Sequence, residues 1–230
     1  MATKTDFQAM FDNGIHIGHR RHKWNPRMKK FIHGERNGVH IINLEKTVSN
    51  LEAALAFIDK LSSQGKSILI VSTKPQSVSL VEEYAKSCNM PYVNSKWIPG
   101  LLTNFSTVKT RIKYLTDLKE QKATGDFDKY TKKEAAKLNK TIAKLENSLG
   151  GVQNMKTKPD AVFVLDVVRD NIVVQEAKKL GLPVIAIVDS NSNPDEIDFP
   201  IPGNDDAITS LTYFINRVTT VIKDSHKSKK

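Results

Sequence analysis

The sequence predicts an α/β fold, a parallel sheet with helices on both faces plus a protruding antiparallel helical hairpin, and three observations carry that prediction. Apolar runs at Ser67–Ser72 (SILIVS), Ala161–Asp166 (AVFVLD) and Pro183–Asp189 (PVIAIVD) are short and show no polar alternation, the pattern of strands covered on both sides. Amphipathic segments at helical spacing separate these runs, and strands alternating with helices imply parallel pairing. Residues 104–149 break the alternation. They are Lys-rich, contain no strand-like run and are interrupted only at Ala123–Phe127 (ATGDF).

Taken in chain order, Leu44, Val48, Leu51, Leu55 and Ile58 define a helix over 44–61, with Asn43 as its N-cap and Gly65 ending the unit. Pro75 suits the first turn of a helix covering Val78, Val81 and Tyr84, and Pro91–Val93 reads as a short strand. Val108, Ile112, Leu115 and Leu118 form one apolar stripe of the hairpin. Ala135, Leu138, Ile142, Leu145 and Leu149 form the other, and Gly150–Gly151 lets the chain turn back. Asn171–Leu180 is helical in pattern with Gly181 as its stop, and Ile208, Leu211, Ile215, Val218 and Ile222 stripe a last helix over about 205–222. The expected organisation is an N-terminal segment 1–40, an α/β domain assembled from 41–103 and 150–222, a hairpin insertion 104–149 and a flexible basic tail 223–230.

The 230 residues are 39% hydrophobic, enough for one α/β domain with a real core. The single cysteine, Cys88, excludes an internal disulfide or a Cys-rich zinc site and fits a reducing compartment. No stretch approaches the roughly 20 apolar residues that span a bilayer, and no signal-peptide core is visible, so a cytoplasmic protein with no membrane partner is expected, an organelle being the other possible home. The net charge of +10 is unevenly spread. Residues 1–40 carry +5, 41–100 +1, 101–150 +5, 151–222 −4 and 223–230 +3. Charge gathered in three places marks localised anion-binding surfaces rather than a uniformly solubilising one.

The richest candidate site is Gly14–Gly38, GIHIGHRRHKWNPRMKKFIHGERNG. Cationic side chains supply phosphate contacts, Trp and His rings stack on bases or sugars, and the glycines with Pro26 imply an irregular loop that approaches a ligand closely. The expected RNA contacts there are His16, His19, Arg20, Arg21, His22, Lys23, Trp24, Asn25, Arg27, Lys29, Lys30 and Arg36. His16, His19 and His22 also have the spacing of a zinc site, but Arg20, Arg21 and Lys23 repel a cation and no metal is expected. Lys74, in the turn after the first strand run, and Lys96 with Asn104, around the Pro99–Gly100 corner, are further expected RNA contacts, while Trp97 reads as core. No GxGxxG or GxxxxGK[ST] motif is present, so no nucleotide cofactor is expected. The alternative is an α/β enzyme acting on a phosphorylated substrate through the Asp189–Asp206 loops, since ligands bind after parallel strands. Those loops lack a partnered His or nucleophile nearby in sequence, so turn chemistry is the favoured reading and no catalytic residue is assigned.

Gly14-Ile15-His16-Ile17-Gly18-His19, Trp24-Asn25-Pro26-Arg27-Met28 and Gly34-Glu35-Arg36-Asn37-Gly38-Val39-His40-Ile41-Ile42 closely resemble the N-terminal signature of bacterial small-subunit ribosomal protein two. The resemblance continues through Leu102-Thr103-Asn104-Phe105, Leu149-Gly150-Gly151, Pro159-Asp160 and Ile185–Asp189 to Pro200–Ala207, in order over nearly the whole chain. It implies a flavodoxin-like domain with the hairpin, and a non-enzymatic role as a structural constituent of the small ribosomal subunit. It also implies small-subunit ribosomal RNA and neighbouring small-subunit proteins as partners. In some bacteria a family member helps recruit the large messenger-binding ribosomal protein. Two departures stand out: Asn193 replaces the family's usual Asp, removing a carboxylate from any ion site there, and Pro99 replaces a frequent Gly.

Overall fold

The three apolar runs become the central strands of a five-stranded, all-parallel sheet, and their side chains show why alternation was missing from the sequence. In the computed structural model, which describes residues 4–227, the sheet has the spatial order β5-β4-β6-β7-β8. Its strands are β4 (Ile68–Val71), β5 (Tyr92–Val93), β6 (Ala161–Val164), β7 (Val184–Val188) and β8 (Phe199–Pro202). Ile68, Ile70, Phe163, Ile185 and Ile187 face one core, and Leu69, Val71, Val162, Val164, Ala186 and Val188 face the other, so both parities must be apolar. Helices α2 (Leu44–Ser63), α3 (Val78–Ser87) and α7 (Ile208–Lys227) cover the first face; α6 (Asn171–Lys179) and the start of α4 (Phe105–Ala123) cover the second. An order in which the chain starts on the second strand and crosses back once is the flavodoxin-like arrangement, with its switch point between β4 and β6.

Local signals explain the boundaries. The Asn43 side chain accepts from the backbone N–H of Glu45 and Lys46 at 2.9 and 3.3 Å, capping α2 as expected. Thr131 and Glu134 form a reciprocal capping box at the start of α5 (Lys132–Leu149). Val108 and Ile112 of α4 share the second core with Leu149, whereas Leu115, Leu118, Phe127 and Ile142 form a separate small core between α4 and α5. At Gly151 a Cβ would fall 2.2 Å from the Tyr92 carbonyl oxygen, so only glycine lets α5 return to the sheet.

Three expectations need correction. Gly14–Gly38 is not an irregular loop: β1 (Ile17–Arg20), β2 (Ile32–Arg36) and β3 (Val39–Ile42) form a three-stranded antiparallel sheet in the order β1-β3-β2. A helix, α1 (Lys4–Asp12), precedes it. FPIP, read as turn chemistry, is β8; two prolines are tolerated because it is an edge strand whose one neighbour is β7. The last helix begins at Ile208 and runs to Lys227, so the first half of the expected tail is helical; 228–230 lie outside the described residues.

Candidate nucleic-acid interface

The C-terminal ends of the parallel strands are where an enzyme of this fold would hold its ligand, and here the chain fills that place with its own side chains. Lys74, just beyond β4, is buried. Its ammonium lies 2.8 Å from Asp166 beyond β6, 2.7 Å from Asp205 and 2.8 Å from Asp206, both beyond β8. Asp166 also accepts from the N–H of Val168 and Arg169 at 2.9 Å each, and Asp170 accepts from the backbone and hydroxyl of Thr73 at 3.0 and 2.8 Å. Burial disfavours the Lys74 ammonium, but the Asp205, Asp166 and Asp206 carboxylates outweigh it and hold the pKa above the ordinary lysine value. Asp205 is pushed up to about 7, first by burial and then by the charges of Asp189 and Asp166, with Lys74 opposing. The remaining cavity, about 220 Å³ between Asn25, Val167, Asn171, Asn193 and Glu196, is smaller than ordinary ligand sites.

The same strand ends anchor the antiparallel sheet. His19 Nδ1 lies 3.1 Å from Asp189 and Nε2 3.3 Å from Asp206, while its N–H donates to Ser190 Oγ at 2.7 Å. The Asp189 hydrogen bond raises the His19 pKa, partial burial opposes the rise, and the charges of Asp189, Asp205 and Asp206 reinforce it. The Asn25 N–H donates to the Ser190 carbonyl at 2.7 Å, Arg27 and Lys30 reach Asp195 at 3.7 and 3.1 Å, and the Asn204 N–H donates to the Ile15 carbonyl at 3.1 Å. Gly18 packs so closely that a Cβ there would lie 2.8 Å from Ser190 Oγ. Its missing side chain serves the protein's own packing, not an approach to a ligand.

The expected contacts therefore divide. Arg20, Arg21, His22, Lys23, Arg27, Lys29, Lys30 and Arg36 are exposed on the antiparallel sheet and its 3₁₀ turns at Arg21–Lys23 and Pro26–Phe31. Among the described residues Arg20, Lys29 and Arg36 have no ion-pair partner, and Arg21 has only Glu35 at 3.8 Å. Trp24 is half-buried, its ring 5.1 Å from that of His40. Asn25 accepts from the Arg27 N–H at 3.0 Å. His16 stacks on Phe11 at 4.3 Å, and burial lowers its pKa. Lys96 and Asn104 are exposed at the far corner. Lys74 is the exception: it is buried and its charge is matched by Asp166, Asp205 and Asp206. The imidazoles of His16, His19 and His22 are not gathered into a donor set. His19, Asp205 and Asp206 do place donor atoms within 4.8 Å of one another, but the Lys74 ammonium already sits on both carboxylates.

Two features escaped the sequence. Glu176, buried on α6, accepts from the Trp97 Nε1–H at 3.0 Å, from the N–H of Gly100, Leu102 and Thr103 at 2.7, 3.1 and 3.0 Å, and from the Thr103 hydroxyl at 3.1 Å. These bonds overcome its burial and hold its pKa below the usual carboxylate range. They fix the corner carrying Lys96 and Asn104, and no local motif announces a partner some 75 positions away. The second feature is the apolar groove of about 400 Å³ between α1 and β3, lined by Phe7, Phe11, His16, Ile41 and Leu44.

A flavodoxin-like domain whose strand-end crevice is filled by its own ion pairs, beside an open basic face, has the make-up of a scaffold protein. The comparisons give that class a family. The ribosomal protein S2 family matches residues 10–225, and the chain belongs to it. It is 46% identical over 215 residues to the small ribosomal subunit protein uS2 of Campylobacter hominis, covering 94% of this chain and 80% of that one. The protein of the same name from Nitratiruptor sp. is 47% identical over 213 residues (93% and 80%), and that from Dehalococcoides mccartyi 42% over 226 residues (98% and 92%). The chain is thus a structural ribosomal protein and not an enzyme.

Proposed function

We propose that the chain is built into the small ribosomal subunit in the cytoplasm by its antiparallel sheet, which grips small-subunit ribosomal RNA through Arg20, Arg21, His22, Lys23, Arg27, Lys29, Lys30 and Arg36. The observation that carries this reading is the contrast in neutralisation. The carboxylates at the strand ends are matched by Lys74 and His19, and Arg27 and Lys30 pair only with the exposed Asp195, while Arg20, Lys29 and Arg36 are exposed with no ion pair among the described residues. Such cations release counterions when they meet phosphates, and that drives association. The Lys-rich α4–α5 pair serves, in this reading, as an antiparallel hairpin with a second cationic surface, and Lys96 and Asn104 flank its base. Neighbouring small-subunit proteins, and the large messenger-binding ribosomal protein, are proposed as protein partners. The exposed Phe11 and Ile17 beside the α1 groove support a protein contact there.

Replacing Arg20, Arg21 and Lys23 with Ala tests the reading. The slope of log affinity for small-subunit RNA against log salt should fall by roughly 0.7–0.9 per phosphate contact removed. Incorporation into small subunits on sucrose gradients should drop while the melting temperature holds. Unchanged incorporation would sink the proposal.

A further inference from the structure

Beside Trp24 the basic face is concave. An open groove of about 670 Å³ runs between the Arg21–Lys23 turn and the Asn37–Gly38 turn, lined by Arg20, Arg21, His22, Trp24, Asn37 and Val39. Its walls are held at a set separation, because the Arg21 N–H donates to the Gly38 carbonyl at 2.9 Å. Asn37 and Gly38 both adopt left-handed backbone, φ 53° and 74°, which keeps the far wall compact. The His40 ring braces the indole from within, at 40° to it. Three cationic or titratable side chains line the groove and, among the described residues, no carboxylate does; Glu35 meets Arg21 from outside it at 3.8 Å.

We propose that this groove receives a single unpaired ribonucleotide, its base against Trp24 and its phosphate on Arg20 and Arg21. The proposal rests on the RNA-binding reading above and narrows it. A paired RNA helix hides its base faces in its own stack and presents phosphates and sugars along a convex surface. It can satisfy exposed arginines but has no ring face to lay on an indole. A base extruded from a bulge or loop offers that face, and its flanking phosphates follow it into the cationic mouth. The volume lies in the range of small-molecule sites.

The test uses the full chain and two RNA probes: a hairpin with one bulged purine and the same hairpin fully paired. The chain has two tryptophans, and Trp97 is buried against Glu176, so quenching of the more accessible indole reports half-buried Trp24 while the Trp97 signal reports a preserved fold. The bulged RNA should quench Trp24 and bind about tenfold tighter, as one base–aromatic stack predicts. Trp24→Ala should erase that preference while leaving affinity for the paired hairpin within about twofold, and Trp24→Phe should restore most of it. Equal binding of the two RNAs by the native chain would overturn the nucleotide pocket and leave the RNA surface standing. So would equal weakening of both by Trp24→Ala. Failure of both RNAs to bind would overturn both readings.

Discussion

Arg20 and Lys74 look alike in the sequence, each a cation beside turn-forming residues, yet the fold uses them in opposite ways. Lys74 sits at the end of β4 with carboxylates at 2.7–2.8 Å from three acidic residues, and about 10% of its side chain is exposed. Arg20 ends β1 in solvent, with no ion pair among the described residues. The first is half of a buried ionic lock that closes the ligand crevice; the second is a charge left over for a partner. Cationic residue type therefore points to RNA only where the fold leaves the charge exposed, and exposure depends on which strand ends the topology brings together.

The largest expected effect breaks the comparison from the buried side. Lys74→Met leaves Asp166 and Asp205 in the interior without a counter-ion, and removing one partner of a buried pair costs about 3–5 kcal/mol. Thermal or urea melting should show a loss of that size, while RNA affinity measured well below the melting point stays near native. Arg20→Ala should do the reverse, shifting stability by no more than about 0.5 kcal/mol and weakening RNA binding. If Lys74→Met leaves stability intact, the ionic lock is not what closes the crevice.

A buried charge can also be balanced by donors alone, which sharpens the same point. Among the described residues Glu176 has no cation near its carboxylate oxygens, only the indole, three backbone N–H groups and a hydroxyl. Glu176→Gln turns an NH₂ against those donors and removes charge-assisted bonds, so a loss of about 2–3 kcal/mol is expected. Hydrogen exchange should speed up at Gly100–Thr103, with the N-terminal sheet unaffected. A variant as stable as the native chain would show that the corner holds itself.

These elements also show what the sequence could disclose. β4, β6 and β7 were legible because burial on both faces demands unbroken apolar runs, and α2 because Asn43 caps a clean stripe. β1–β3 were not, since each is only four or five residues long and their Gly, His, Arg and Glu residues leave little apolar alternation to read. β8 was masked by Pro200 and Pro202, allowed only at an edge. The exposed arginines of the site were legible by type and spacing. The burial of Lys74 was not, because its carboxylates lie 92 to 132 positions away.

The join between the two regions is the next place to press. Gly18→Ala places a Cβ 2.8 Å from Ser190 Oγ and 3.1 Å from the His40 carbonyl, so the antiparallel sheet must lift slightly from the strand ends. Overpacking of this kind costs about 1–3 kcal/mol, and exchange should accelerate at Ile17–Arg20 before it does in β4 or β7. Uniform destabilisation would mean that the two regions unfold as one unit.

The smallest effect is pH-dependent and acts through His19. Its pKa in the folded chain is raised, chiefly by the Asp189 hydrogen bond, above the roughly 6.5 of a free imidazole. A group that binds its proton more tightly when folded contributes stability that is complete below the free value and fades as pH rises through the folded one. The Asp205 carboxyl, with a pKa of about 7, leans the same way, because the folded state also favours its proton. The sheet should therefore be held most firmly in mildly acid solution and loosen as pH climbs past neutrality. His19→Asn keeps a polar side chain without a titrating imidazole and should flatten the His19 part of that dependence, leaving the Asp205 part. Melting curves across this range, with an NMR titration of the His19 ring, measure both. A His19 pKa at or below the free value would remove the charge-assisted anchor and leave the contacts to Ser190, Asp195 and Asn204 to hold the antiparallel sheet to the domain.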